Sequence, residues 1–269
     1  MKILSFDAYT LKWIAVIAMI MNHIAIAWRS VLPYGVLLPL YAVGGLTYTI
    51  MAYFVVEGYR HTSNLKKYIS RLLVFGLIAQ AFHPMVLGVT SLFGGILLNI
   101  MFTIVLALIV LLMYDKIQIR PLFWFLFIVA CVVSLFMDLY AVGVLVPLLY
   151  YIIKNEGKRR TLPGIIAGVF FGLLSALPIL GYLAMYNTPG MEQEAYDFLY
   201  NFGFTREFLM IMPSFGLGCF LGAILIRNYN GERGKRAKWL FYVAYPLHLA
   251  IISGISVALG ITAFSLFRF

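Results

Sequence analysis

The groups that could do chemistry in this 269-residue chain are four histidines, ten carboxylates and twenty Lys and Arg. Lys12 and His23 stand eleven residues apart, which on one helix is about 16 Å of rise. That is more than half of a hydrocarbon core of about 30 Å. A neutral imidazole, with an unperturbed pKa of about 6.5, suits the removal of a proton from an attacking amine or hydroxyl. It could also be acylated itself. His83, followed by Pro84, and Asp138 are expected towards the same membrane face as His23, with His248, after Pro246, closer to mid-membrane. On the opposite face Arg60, His61, Lys66, Lys67 and Arg71 crowd one short stretch, with Lys12 nearby. Guanidinium groups donate paired hydrogen bonds that match phosphate oxygens. This division suits a coenzyme A thioester, its phosphates on the basic face and its thioester reaching up towards an imidazole.

Each of these residues also has a structural reading. A membrane histidine is often an interhelical hydrogen bonder. Asp138 and Glu57 stand near helix ends, where carboxylates cap or meet cations, and a basic loop orients a membrane protein and meets lipid headgroups. No phosphate-binding glycine loop, metal-spaced His/Glu pair or serine nucleophile elbow occurs, so no metal is expected. Gly44-Gly45 and Gly94-Gly95 read as close-packing positions, and Cys131 and Cys219, within apolar runs, as core residues.

The elements that position these groups must lie in a bilayer. The chain is 63% hydrophobic and 11% charged, with a mean hydropathy of +0.97, which excludes a soluble domain. Nine apolar runs are candidate helices: 11–28, 36–56, 68–89, 92–114, 122–137, 139–153, 162–186, 208–226 and 239–267. With nine spans and the N-terminus inside, only Arg29, Arg206 and Arg268 of the twenty basic residues fall outside. Fusing the fifth and sixth runs across Asp138 would destroy that asymmetry. The net charge of +10 is therefore first a topological signal, and nucleic acid is not an expected partner. A cleavable leader ending at Ala25-Ile26-Ala27 is disfavoured because Asn22 and His23 interrupt its apolar region. We expect an all-α polytopic bundle, one domain over residues 1–269, with an outer loop at 187–206 that holds a short interfacial helix.

Several segments, in order along nearly the whole chain, resemble the TraX family of membrane proteins linked to N-terminal acetylation of conjugative pilin. They are Leu11-Lys12-Trp13-Ile14-Ala15 leading to Asn22-His23-Ile24, Glu57 to Thr62 with Lys67-Tyr68 and Arg71-Leu72, Asn99 to Thr103, Asp138 to Leu145, and Lys238-Trp239 through Tyr245-Pro246-Leu247-His248. The family is similar in turn to membrane acyltransferases of surface polysaccharides, whose first helix carries a basic residue, ten intervening residues and a histidine. Lys12 and His23 have that spacing.

The resemblance implies a multi-pass acetyltransferase of a bacterial plasma membrane. It would use acetyl-CoA as donor and a peptide amine or glycan hydroxyl at the outer face as acceptor. His23, Asn22 and Asp138 then form the expected catalytic set, Lys12, Arg60, Arg71 and Lys67 the donor set, and His83, Tyr245 and His248 the acceptor pocket. Relatives carry Asp before the histidine and Gly-Arg in helix two, where this chain has Asn22 and Gly44-Gly45. We expect the missing Asp and Arg to be an ion bridge replaced by two compensating neutral residues. The alternatives are a proton-coupled permease, in which His23, His83, Asp138 and His248 line a polar path, and a non-catalytic assembly or immunity protein.

Overall fold

A computed structural model describes residues 5–88, 96–201, 206–235 and 238–261. Lys2, Gly94, Gly95, Arg236 and Arg268 lie outside them. Asp7 starts the first helix by accepting the Thr10 amide at 2.7 Å, which satisfies one of the donors that every helix start leaves open. Helix α1 then runs Ala8–Ala27 and α2 runs Tyr34–His61. Asn64 caps α3, Leu65–Gln80, through the Lys67 amide. The expected third run does not continue to residue 89. It breaks after Gln80, and His83-Pro84 opens a separate short helix, α4, His83–Leu87, because proline cannot donate within a continuing helix but suits a first turn.

Asn99 starts α5, Ile100–Lys116, by capping the Met101 amide. The fifth and sixth runs are two helices: α6, Arg120–Val133, then a 3-10 turn over Ser134–Phe136, then α7, Tyr140–Ile152. After them come α8, Glu156–Tyr186, α9, Glu192–Asn201, α10, Arg206–Arg227, and α11, Lys238–Ala258. The acidic, amphipathic α9 is the short helix expected in the 187–206 loop.

Among the described residues the chain is helical, with isolated bridges at Phe6/Tyr229 and Leu98/Met137 and no strand. Among the described residues five helices are long and apolar enough to cross a membrane, α1, α2, α8, α10 and α11. The helices standing for four further runs, α3, α5, α6 and α7, have 16, 17, 14 and 13 residues. At 1.5 Å each these reach about 20 to 26 Å, less than a full core.

Glycine decides the packing of the central helices. A Cβ at Gly45 would meet the Phe215 carbonyl, one at Gly218 the Ala42 carbonyl, and one at Gly168 the Gly216 carbonyl at 2.8 Å. Helices α2, α10 and α8 thus touch backbone to backbone, as small residues allow where lipid supplies no hydrophobic drive between helices. Helix α1 packs along α2, and α11 closes against α1 and α3. This frame sets the two ends of α1, with Lys12 near one and His23 near the other.

Candidate functional site

One end of the bundle gathers the basic connectors. Arg60 of α2 donates to the Tyr151 carbonyl at the end of α7 at 2.9 Å, and Arg160 of α8 donates to the Tyr229 carbonyl after α10 at 2.6 Å. Tyr59 and Tyr151 both donate to Asp115 at 2.7 Å, which ties α2 and α7 to the end of α5. The connector after α10 is strapped to the start of the chain: Phe6 donates to Asn228, Asn230 to Phe6, and Ala8 to Glu232, at 3.1, 2.9 and 2.8 Å.

Beneath this strap opens a cleft of about 660 Å³, entered between α1, α2, α3, α8 and α11. Lys12, Arg71, Arg159, Arg160, Arg233 and Lys235 line it, against two carboxylates, Glu57 and Glu156. Its walls are aromatic, with Tyr53, Phe54, Tyr68, Tyr229, Phe241 and Tyr242, and it extends to Met101 and Ile104 on the first turns of α5. The Lys12 ammonium lies 4.9 Å from the Phe54 ring centre and 5.8 Å from that of Phe241. The Arg71 guanidinium lies 5.6 Å from the Tyr242 ring centre. Of the expected donor set, Lys12 and Arg71 therefore face the cleft. Arg60 is turned onto Tyr151, and Lys67 stands exposed in the first turn of α3, absent from the lining. Arg159, Arg160, Arg233 and Lys235 are cleft residues that the sequence reading counted only as topological charge. The signal available for them was the Arg159-Arg160 pair near the start of α8, with Arg159 in the first turn, where a helix disfavours cations.

The histidines meet at the other end of α1. His23 and His248 rings lie 4.8 Å apart, with Tyr245 at 6.2 Å from His23 and 5.5 Å from His248. Nδ1 of His23 is 2.8 Å from the Met19 carbonyl, and Nδ1 of His248 is 2.8 Å from the Ala244 carbonyl. A carbonyl only accepts, so in each neutral ring the proton sits on Nδ1 and the Nε2 lone pair is open. His248 Nε2 is buried without a hydrogen-bond partner, and the buried Tyr245 hydroxyl, which meets the Ile100 amide, has no acceptor for its own proton. Buried polar atoms left this way are costly unless a ligand meets them. Tyr245 faces Ile100, next to the cleft's far wall at Met101.

His83 and Asp138 form a second pair beside these rings. His83 is 1% exposed, and its Nε2 lies 2.9 Å from the Asp138 carboxylate. The pair is held in a bend in which Leu139 and Tyr140 have φ of 63° and 47°, a left-handed conformation costing about 1–3 kcal/mol per residue. Hydrogen bonds fix it: Asp138 donates to Leu98, and Thr103 donates to the Asp138 carbonyl, each at 2.9 Å. Strain maintained this way is a recurrent property of working sites. His23, His83, Tyr245, His248 and Asp138 thus form one neighbourhood.

Asn22 is different. It is buried against α2, with Nδ2 3.4 Å from the Leu40 carbonyl and its amide against Gly44. The expected exchange of an ion bridge between positions 22 and 45 does not match this fold. Position 44 faces residue 22, whereas Gly45 packs on the α10 backbone. Adjacent helical residues point about 100° apart, so a residue at 45 does not reach Asn22.

The family model described as TraX protein matches residues 7–256. The chain is 29% identical over 265 residues to the probable fimbrial assembly protein FimC, serogroup H1, of Dichelobacter nodosus, covering 93% of this chain and 95% of that one. No solved structure matches significantly. The match spans α1, the basic cleft and the histidine cluster on α11, and on that extent this chain belongs to the TraX family.

Proposed function

We propose that the protein is an acetyltransferase of a bacterial plasma membrane, with acetyl-CoA held at the basic end and the acceptor met at the histidine end. In this reading the apolar runs give nine spans with the N-terminus in the cytoplasm, the short helices α3, α5, α6 and α7 completing the bundle. The basic end then faces the cytoplasm, as the distribution of Lys and Arg favours.

The observation that carries the reading is the reach of the cleft along α5 towards the histidine end. A cationic cleft begins at Lys12 and Arg71 and reaches Met101, beside the residue that Tyr245 faces. From Lys12 to His23 the rise is about 16 Å. The pantetheine arm from phosphate to sulfur has about twelve bonds, the length of about four extended residues, or roughly 14 Å. Phosphates at Lys12 and Arg71 therefore set the thioester at the level of the imidazoles.

There His23 Nε2 takes the proton of the attacking amine or hydroxyl as its N or O bonds to the thioester carbonyl carbon. The Tyr245 hydroxyl, whose proton has no acceptor, is available to donate to the developing oxyanion, a contribution of the kind that lowers such barriers most. Collapse breaks the C–S bond, and the thiolate leaves to be protonated by the imidazolium. The relative named as a fimbrial assembly protein favours a surface-fibre subunit with a free peptide amine as acceptor over a glycan hydroxyl. The same name supports a second reading, a non-catalytic assembly factor.

Purified protein in lipid nanodiscs, given [14C]acetyl-CoA and peptides with free N-termini or glycan fragments, separates these readings. Label transfer lost in His23→Ala is expected. Absence of both transfer and thioester hydrolysis in the wild type, with CoA binding intact, would remove the enzyme.

A further inference from the structure

We propose that His248 is a second catalytic base, and that His23 and His248 together serve an acceptor that arrives as an alkylammonium, such as a peptide N-terminus, and must lose two protons. The inference rests on the enzyme reading above and deepens it by assigning the charge state of the acceptor.

Attack by a neutral amine or a hydroxyl needs one imidazole, and the structure presents two. Both Nδ1 atoms face a carbonyl four residues back, Met19 and Ala244, at 2.8 Å, which holds the proton on Nδ1 and leaves each Nε2 as an acceptor. The ring centres are 4.8 Å apart, so one small nitrogen between them lies within hydrogen-bond reach of both. His248 is 5% exposed and its Nε2 has no partner, a state that a donating ligand relieves. The other titratable groups around the pair are Tyr245 on α11, His83 on α4 and Asp138 before α7. Asp138 brings a carboxylate close enough to act on His23, and that charge favours the entry of a cation.

A free α-amino group has a pKa of about 7.7–8.0, so near neutral pH it is mostly ammonium, whose nitrogen has no lone pair to attack with. His248 Nε2 takes the first proton and frees that lone pair. The nitrogen then bonds to the thioester carbonyl carbon, and His23 Nε2 takes the second proton. The C–S bond breaks, and the thiolate recovers that proton from His23. Ammonium and thioester thus become amide, thiol and one released proton. The released proton is the one on His248, and it leaves to water at the outer face before His23 is charged, because two imidazolium rings at this spacing repel. A hydroxyl acceptor brings a single proton and leaves His248 without a task.

The full-length protein in nanodiscs, with labelled acetyl-CoA, is given two acceptors that differ at the reacting nitrogen. One is a peptide with a free N-terminal alanine, the other the same peptide with an N-terminal aminooxyacetyl group, whose nitrogen is already neutral at about pH 6.5. At that pH roughly one α-amino group in twenty-five is neutral. His248→Gln should therefore lose about 25-fold more transfer to the free peptide than to its aminooxy form, and the gap should close by about pH 9, where solution has already removed the first proton. His23→Gln should lower transfer to both by about 10²–10⁴-fold. His248→Asn makes the same test should His248→Gln fail to fold, as judged by loss of CoA binding. Equal loss with both acceptors at every pH, the mark of a residue that only shapes the pocket, overturns the proposal, as does no loss with either. Label reaching glycan hydroxyls and no peptide overturns it while keeping the enzyme. A wild type that binds CoA yet transfers to no acceptor and hydrolyses no thioester removes the enzyme reading and this inference with it.

Discussion

Replacing Gly218 by alanine tests whether the bundle is held by backbone contact between α2 and α10. The new methyl would press on the Ala42 carbonyl oxygen, with the Leu46 nitrogen 2.8 Å away. Both are main-chain atoms in the middle of α2, so no side chain can swing aside and the two helices must separate. Overpacking of this kind costs typically 1–3 kcal/mol, and a clash with two backbone atoms belongs at the upper end, about 3 kcal/mol. Alanine recovers about 1 kcal/mol of helix propensity over glycine, which leaves a net loss of about 2 kcal/mol. At about 2–4 °C per kcal/mol for a chain of this size, the melting temperature in detergent should fall by roughly 4–8 °C. Gly172→Ala is the control: it lies on α8 with nothing within 4 Å, so only the propensity gain remains and melting should rise by a few degrees. Static light scattering on a temperature ramp reads both. Equal shifts in the two variants, in either direction, would refute backbone contact as the cause.

At the histidine cluster, His23→Ala should lower acetyl transfer by about 10²–10⁴-fold, the worth of a general base, in an assay of free thiol release with acceptor present. Asp138→Ala strips the buried His83 Nε2 proton of its acceptor and should cost about 1–3 kcal/mol of stability, seen as a lower melting temperature. At the start of α1, the Thr10 side chain and then its amide hold the Asp7 carboxyl below its ordinary value of 3.8. A carboxyl depressed in the folded state stabilises the fold fully above the unfolded value, and that share is lost as pH falls through the folded one. Melts between pH 6 and pH 3 should therefore steepen less in Asp7→Ala, which starts about 1 kcal/mol less stable. A pH profile parallel to wild type would contradict the cap. Introducing Gly45→Arg should destabilise the bundle to the same degree with Asn22 or with Asn22→Asp, and a double-mutant coupling above about 0.5 kcal/mol would restore the ion bridge.

Apolar runs alone did not mark the helix starts: the runs begun at 11, 68, 92 and 162 start as helices at Ala8, Leu65, Ile100 and Glu156, where Asp7, Asn64, Asn99 and Asn155 each accept the amide two or three residues on. The histidine cluster, by contrast, was legible. Ionisable groups in apolar runs are few, and when a membrane tolerates them they tend to meet one another, as His23 and His248 do across α1 and α11. Which cations face the cleft was not legible, since that depends on helix rotation against partners distant in sequence. Arg60 satisfies a Tyr151 carbonyl left open at the end of α7, while Arg159, counted only as a topological charge, is turned inward over Tyr53. The two glycines of α2 show the same limit at atomic scale. Sequence marks both as close-packing positions, yet Gly44 admits the Asn22 amide and Gly45 admits the α10 backbone. A neutral residue at position 22 is then explained by its own surroundings. Its carboxamide lies in a buried notch beside the Leu40 carbonyl, where an amide can donate and an ionised carboxylate could only accept. In this chain the Asn suits the packing of α1 on α2 and leaves the His23 Nε2 lone pair open to an acceptor.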